Sequence, residues 1–253
     1  MAAAFSMYSR IPVPRFTWHE EDAAGGLSFL PLVGAVIGTL SFALNVLPWM
    51  EILPQSVRIL GTILIPILVT GGFHLDGYMD TEDALRSYGS CEKKLEILKD
   101  PHVGAFAVIG LIRVLLLFAA AVTMLFLYRG MDARSAGCFA GIFVLGRCLC
   151  AFTSLFMKKA RKEGMLYEET KGQDPLILRI LVAETAACLL FIFFMDPVRG
   201  GILCLVFALC ILFYVKRIAV QFGGVTGDTA GYFLTVSETA AALALALSVL
   251  LPV

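Results

Sequence analysis

Seven long stretches of almost uninterrupted apolar residues constrain this chain more than any other feature of its sequence. They cover roughly residues 27–50, 57–73, 103–128, 136–157, 176–195, 199–215 and 229–251. About 20 apolar residues in a helix cross the ~30 Å hydrocarbon core of a bilayer. Only helices and closed barrels satisfy every backbone group in lipid, and the runs lack the alternation of barrel strands. The sequence therefore predicts an all-α fold, a polytopic integral membrane helical bundle.

The expected number of transmembrane helices is about seven, with six and eight as alternatives. The second and sixth runs are short, and Gly71-Gly72 and Gly223-Gly224 lie at or just beyond their ends. We interpret residues 1–16 as an interfacial segment, because two prolines two positions apart forbid a regular helical turn. No loop is long enough to form a second domain, so residues 1–253 are predicted to be a single transmembrane domain.

Composition agrees with a membrane location and excludes one class of partner. Hydrophobic residues make up 59% of the chain and charged residues 16%, against about 45–50% and about 25% in soluble proteins. The 20 basic and 20 acidic residues cancel to a net charge of zero. Nucleic-acid binding needs a basic excess that displaces counterions from phosphates, so no nucleic-acid partner is expected.

Basic residues in the short loops predict the orientation of the bundle. Cytoplasmic loops of membrane proteins carry an excess of Lys and Arg. Four basic residues fall on one side, whereas 13 fall on the side of the N-terminus: Arg10, Arg15, Arg86, Lys93, Lys94, Lys99, Lys158, Lys159, Arg161, Lys162, Lys171, Lys216 and Arg217. The N-terminus is therefore predicted to be cytoplasmic. Fifteen acidic residues fall on the same side against three outside, which indicates a charged working face there.

The densest acidic cluster follows the second apolar run. Asp76, Asp80 and Asp83 stand at positions i, i+4 and i+7, which share one face of a helix. Three such carboxylates repel one another unless a cation lies between them. Carboxylate oxygens are ligands that Mg²⁺ and Mn²⁺ prefer, so the pattern predicts a divalent metal site. A solvated acidic helix face is the alternative; His74 and the glycine pair place the cluster at the end of a span.

A glycine-rich loop, residues 222–231, lies on the same predicted face. Its glycines allow close backbone approach and free N–H groups, as phosphate-binding loops require, so Thr226 and Gly227 are candidate substrate-binding residues. Asp228 either completes a metal site opposite the first cluster or caps the following helix.

Several basic groups are candidates with structural alternatives. Lys99 at the entrance to the third span could bind phosphate, or extend its charge from the bilayer into water. The run from Lys158 to Lys162, which contains Arg161, could do the same or form an ordinary cytoplasmic flank. Arg147 and Glu238 are costly within spans and are either functional or a structural ion pair.

Carboxylates, a glycine-rich loop and basic groups on one face suit metal-assisted phosphoryl transfer, in which positioning and charge neutralisation supply most of the catalysis. No Walker A motif is present, so coupling to nucleotide hydrolysis is not expected. A membrane transporter is the alternative from another functional class, although no internal repeat is evident and the acids concentrate at the interface rather than at mid-membrane.

Six blocks along the chain stand out together: SRIPVP at 9–14, FLPLVG at 29–34, HLDG at 74–77 with Asp80 and Asp83, LEILKD at 95–100, VGAF at 103–106 and GGVTGD at 223–228. At these residues the chain resembles the cobalamin synthase family, adenosylcobinamide-GDP ribazoletransferase, nearly from end to end. The family tends to carry two glutamates after its C-terminal signature, where this chain has Thr235 and Glu238. CDP-alcohol phosphotransferases are a second similar class, but their longer acidic pattern is not found.

The resemblance implies a single catalytic domain in the cytoplasmic membrane of a prokaryote. A ribose hydroxyl of α-ribazole, or of its 5′-phosphate, would attack the phosphorus attached to the cobinamide side chain of adenosylcobinamide-GDP, and GMP would leave. Mg²⁺, or Mn²⁺, would be held by Asp76, Asp80, Asp83 and Asp228. Asp76, Asp80 and Asp228 are the expected catalytic residues, with Asp228 as metal ligand or base.

Residues expected to bind substrate are His74, Lys99, Arg10, Arg161, Thr226 and Gly227. Expected partners are the two substrates and the lipid bilayer. Self-association and association with other corrinoid-pathway enzymes are further expectations.

Overall fold

The computed structural model describes residues 2–14, 25–129, 131–171 and 175–250, and every regular element in these ranges is helical. The all-α prediction is confirmed. The helices are α1 Ala2–Tyr8, α2 Leu30–Val46, α3 Gln55–Thr70, α4 Phe73–Arg86, α5 Cys91–Ile97, α6 Ala105–Arg129, α7 Ala133–Phe156, α8 Met165–Thr170, α9 Pro175–Met195, α10 Pro197–Phe213 and α11 Gly227–Ser248.

Six of the described helices are long and apolar enough to cross a membrane. They are Gly26–Val46, Ala105–Tyr128, Ala133–Phe156, Pro175–Met195, Pro197–Gln221 and Gly227–Ser248. The bent pair α3 and α4 would be a seventh if counted as one broken span. The count agrees with the predicted range of six to eight and confirms a multi-pass bundle, while the cytoplasmic N-terminus stays a prediction.

A sharp bend separates the acidic helix from the span before it. Gly71 and Gly72 have φ values of 63° and 84°, in the left-handed region that glycine adopts without steric cost. α4 then leaves at 87° to α3. The acidic face of α4 therefore lies across the end of the bundle instead of continuing through it.

α7 and α11 form the centre of the bundle. In their most apolar 18 residues, 72% and 61% are buried, against 22% in α9 and 28% in α10. α2 and α9 pack on α7, whereas α4, α6 and α10 pack on α11. The outer helices leave Leu and Phe side chains exposed, as expected of surfaces that face lipid. Asp228 therefore lies in the first turn of one of the two most buried helices.

Two predicted boundaries need correction. The sixth span does not end at residue 215, because α10 continues through a π-helical turn, Tyr214–Ile218, to Gln221, so Lys216 and Arg217 lie on the helix rather than in a loop. The first span ends at Val46, since residues 48–52 form a separate 3₁₀ turn that begins with a proline. The segment predicted to be interfacial contains the short helix α1.

Some residues of the predicted loops lie outside the described ranges. They are Arg15, Glu20, Glu21, Asp22 and Asp174.

Arg147 and Glu238 form a buried ion pair between α7 and α11. Arg147 is 1% exposed, and its Nη1 donates to Glu238 Oε1 at 2.5 Å and to the Phe143 carbonyl at 3.0 Å. Of the two alternatives for Arg147 and Glu238, the contacts therefore favour an ion pair that stabilises the fold. Each charge is tolerated in the span because the other neutralises it.

Glu238→Ala should strongly destabilise the protein, because it leaves the Arg147 charge buried without a partner. The expected loss is about 3–5 kcal/mol in the free energy of unfolding, with partial recovery in the Arg147→Met/Glu238→Leu double variant. Thermal unfolding in detergent measures both, and exposed Glu51→Ala serves as the control. Equal stability of Glu238→Ala and wild type would contradict this reading of the pair.

Candidate active site

The site is built where α4 crosses the start of α11 in direct backbone contact. A Cβ placed on Gly77 would lie 2.8 Å from Asp228 Cα, and one on Gly231 would lie 2.9 Å from the His74 carbonyl oxygen. Only glycine permits so close an approach. Because Gly77 lies between Asp76 and Asp80 in sequence, the crossing brings both aspartates beside Asp228. The structure thus joins two segments that the sequence separates by about 150 positions.

The aspartates of this crossing are close enough to affect one another. Partial burial, and then the charges of Asp76, Asp228 and Asp83, raise the pKa of Asp80 to about 6. Asp76 is exposed, and Asp80 and Asp228 are half-buried. A proton or a cation at this point would relieve the mutual repulsion of the carboxylates.

The Asp83 carboxylate accepts hydrogen bonds from the start of α6. Its Oδ2 accepts the N–H of Gly104 at 2.7 Å and its Oδ1 accepts that of Ala107 at 2.8 Å, so both oxygens cap α6. The structure therefore does not bring Asp83 into the predicted metal set. Across the described ranges, moreover, no three His, Cys, Asp or Glu side chains converge on a ready-made metal site.

The glycine-rich loop is held by its own backbone hydrogen bonds. The N–H groups of Gly224, Val225 and Thr226 donate to the carbonyls of Ala219 and Lys158 and to Thr229 Oγ1, at 2.8–2.9 Å. The expectation of a loop with free N–H groups is therefore wrong for these three residues. Gly227 is the first residue of α11, where N–H groups lack helical acceptors.

Thr226, rather than Asp228, is the N-cap of α11. Its Oγ1 accepts the N–H of Thr229 at 3.2 Å, within a reciprocal capping box. The interpretation of Asp228 as the cap is wrong, because Thr226 occupies that position two residues earlier. The Asp228 carboxylate accepts a long hydrogen bond from Thr226 Oγ1, at 3.4 Å, and lines the cavity described below.

A cavity of about 280 Å³ opens beside Asp76 and Asp228, and is also lined by Phe73, Lys159, Arg161 and Tyr167. Arg161 donates one N–H to the Leu95 carbonyl, and Lys159 donates to the Met157 carbonyl at 2.8 Å. Residues 158–160 also pair with Val225 through backbone hydrogen bonds of 2.8 and 3.0 Å. The basic run is therefore part of the wall of the site and not a loose flank.

Lys99 is not brought into that cavity. Its Nζ donates to Glu163 Oε1 at 2.6 Å, and both side chains are exposed, so the pair lies at the rim.

A second cavity, of about 710 Å³, lies on another side of Asp76. Arg10, Gly71, Gly72 and Met79 line it together with Asp76. The Arg10 backbone N–H donates to the Val69 carbonyl at 2.8 Å, and a Cβ on Gly71 would lie 2.6 Å from Arg10 Nε. Phe73 and Asp76 belong to the walls of both cavities.

His74 is buried and lines neither of these cavities. Its ring stacks on Tyr8 with centroids 6.2 Å apart, and its carbonyl accepts the hydroxyl of Thr235 at 3.3 Å. It lines two smaller pockets, one of about 60 Å³ that also contains Arg147 and Glu238. The structure thus gives His74 a place in the packing of α4 rather than at the site.

Tyr8 and Glu169 were missed by the sequence reasoning. The Tyr8 hydroxyl donates to Glu169 Oε1, and the two residues are 4% and 2% exposed. Burial raises the pKa of Glu169 to about 7. This hydrogen bond joins α1 to α8, and the Tyr8 ring stacks on that of His74. No motif could have revealed it, because the two residues are 161 positions apart.

Comparison with known proteins identifies the family. Residues 1–246 match the sequence model of the CobS family, described as cobalamin-5-phosphate synthase. The chain belongs to this family. The resemblance inferred from the motifs is confirmed.

Relatives that carry the name adenosylcobinamide-GDP ribazoletransferase match over almost their whole length. That of Lachnoclostridium phytofermentans is 37% identical, covering 97% of this chain and 92% of the relative. That of Clostridium botulinum strain Alaska E43 is 30% identical, covering 93% and 92%, and that of Pseudomonas syringae is 33% identical, covering 90% of both. No solved structure matches.

In this cobalamin-5-phosphate synthase family member, Asp83→Ala should destabilise the protein by about 0.5–2 kcal/mol through loss of the α6 cap. Asp83→Asn keeps one acceptor and should lose less. Both variants should retain most of the transferase activity when assayed as folded protein. If Asp83 were an essential metal ligand, both would lose activity at unchanged thermal stability.

Glu169 should make the stability of the protein depend on pH. Its pKa is 4.5 in the unfolded chain and about 7 in the folded one, so the unfolded state ionises first. The free energy of unfolding should therefore fall as pH rises from about 4.5 to about 7 and then level off. Glu169→Gln should reduce the difference between thermal midpoints at about pH 5 and about pH 8. Glu168→Gln, the exposed neighbour, is the control; an equal reduction in both would contradict the assignment.

Proposed function

We propose that this protein joins adenosylcobinamide-GDP to α-ribazole, or to α-ribazole 5′-phosphate, giving adenosylcobalamin or its 5′-phosphate and GMP. The names of the relatives and the description of the family support the substrates. The observation that carries the proposal is the crossing of α4 and α11 at Gly77, which places Asp76 and Asp228 beside the cavities and Asp80 close by, where burial and then their charges raise its pKa.

The reaction exchanges one P–O bond for another. A ribose hydroxyl oxygen of the ribazole bonds to the phosphorus attached to the cobinamide side chain. The bond from that phosphorus to the GMP oxygen breaks, and its electron pair leaves with GMP. The hydroxyl proton passes to a carboxylate. Positioning and charge compensation dominate such reactions, because the transition state spreads negative charge over the phosphoryl oxygens.

Asp228 is suited to receive that proton. It is half-buried in the first turn of α11, and its carboxylate is not used to cap the helix. Arg161 lines the same cavity and can offset the negative charge of the departing GMP. Aromatic rings of Phe73 and Tyr167 in that wall can stack on a base.

Asp76 and Asp80 fit a Mg²⁺ ion, with Mn²⁺ as the alternative, and a third ligand would be Asp228 if it binds the metal instead of receiving the proton. All three offer oxygen donors; burial first, and then the charges of the neighbouring aspartates, raise the pKa of Asp80, and a cation would relieve that repulsion. Mg²⁺ usually keeps several waters and takes one or two carboxylates plus substrate phosphates, so three converging protein ligands are not required. When bound, the ion would neutralise charge on the pyrophosphate.

The site is inferred to face the cytoplasm, in the cytoplasmic membrane of a prokaryote. The excess of Lys and Arg on the side of α4 supports this orientation. The exposed apolar helices would contact the lipid bilayer. Self-association and association with other corrinoid-pathway enzymes stay predictions.

Purified protein supplied with adenosylcobinamide-GDP, α-ribazole and Mg²⁺ should release GMP, and chelation of the metal should stop the release reversibly. Asp76→Ala and Asp80→Ala should each lower the rate by about a hundredfold or more. Each variant removes a ligand of the Mg²⁺ that would neutralise the negative charge of the transition state. Glu96→Ala, an exposed acid on α5, is the matched control. No GMP release by the wild type would refute the function, and near-normal rates in both aspartate variants would refute the site.

A further inference from the structure

Two separate cavities meet at Asp76 and Phe73, and they differ in the charged groups that line them. The smaller one contains the cationic side chains of Lys159 and Arg161, the acidic ones of Asp228 and Glu163, and the first turn of α11. The larger one is lined by apolar side chains, among them Met7, Met79 and Leu111, together with polar ones such as Ser6, Ser9 and Thr70. Arg10 is its single cationic residue among the lining residues that the structure describes.

Displacement at phosphorus requires such an arrangement. The attacking and leaving oxygens lie roughly in line, on opposite sides of the phosphorus. If the phosphoryl group sits beside Asp76, the nucleophile and the leaving nucleotide must extend away from it in different directions. Two cavities that share Asp76 as a common wall provide those directions.

The smaller cavity fits the anionic partner. GMP carries a phosphate and a flat polar base, which match the guanidinium of Arg161 and the rings of Phe73 and Tyr167. The N–H of Gly227, at the start of α11, adds a donor on the same wall.

The larger cavity fits the uncharged partner. α-Ribazole joins an apolar aromatic base to a ribose; the apolar side chains of this cavity suit the base, and its polar ones suit the ribose hydroxyls. Arg10 is held at the edge of this cavity by its backbone bond to Val69 and by the packing of its side chain on Gly71. Among the ion pairs of the described residues none includes Arg10, so its charge is available to a ligand.

We propose that the larger cavity binds the ribazole and the smaller one the GMP moiety, and that Arg10 binds the 5′-phosphate when the ribazole carries one. The inference rests on the proposed function, because it assigns the two substrates of that reaction. It makes Arg10 the residue that determines the preference between the two forms of the nucleophile.

The test measures kcat/KM for α-ribazole 5′-phosphate and for α-ribazole on the same preparation of each variant. Their ratio is independent of the fraction of folded protein. Arg10→Gln should lower the ratio about tenfold, since it removes a charge-assisted hydrogen bond that only the phosphorylated form can make. Arg161→Gln should lower both values alike and should weaken inhibition by GMP more than Arg10→Gln does. Arg217→Gln, an exposed arginine that lines neither cavity, is the matched control and should not change the ratio.

An unchanged ratio in Arg10→Gln, or a ratio lowered by Arg161→Gln instead, would overturn the assignment. Either result would leave the proposed function intact, because wild-type protein would still release GMP. Failure of the wild type to release GMP with either nucleophile would refute the proposed function itself.

Discussion

The close contact between α4 and α11 is the constraint on which the rest of this site depends. Two helices whose backbones touch at Gly77 and Gly231 cannot slide or separate by the width of a side chain without losing the contact. That rigidity matters because the aspartates beside it repel one another and would move apart on flexible elements. The Thr235 hydroxyl, which bonds the His74 carbonyl, reinforces the same crossing one turn further along α11. Packing of backbone on backbone thus offsets electrostatic repulsion.

Charged groups in this bundle divide into those that hold helices together and those that are left available. Arg147 with Glu238, and Arg113 with Glu82 at 2.7 Å, neutralise one another where helices meet. Both carboxylate oxygens of Asp83 cap α6. Asp76, Asp228 and Arg10 have no such partner among the described ion pairs, and all three line the two cavities.

Local patterns in the sequence predicted the bundle and its acidic helix, because apolar runs and i, i+4 spacing are read within one segment. They could not separate Asp83 from Asp76 and Asp80, since all three share one helix face and only the position of α6 distinguishes them. The same limit applies to the glycine-rich loop, because the local sequence does not show that its N–H groups donate to partners such as the Lys158 carbonyl. His74 is expected to bind substrate from its motif, but Tyr8, a residue from a distant part of the chain that Glu169 holds by a hydrogen bond, stacks on its ring.

The link between Tyr8 and Glu169 has a consequence for how the protein is made. Tyr8 can complete this link only after α8 has been synthesised, and Gly77 can meet Asp228 only later still. Contacts between residues so far apart in sequence form late, because the intervening chain must first be ordered. During synthesis α4 would therefore form before α11 is available to pack against it. The candidate site would be completed only when α11 inserts.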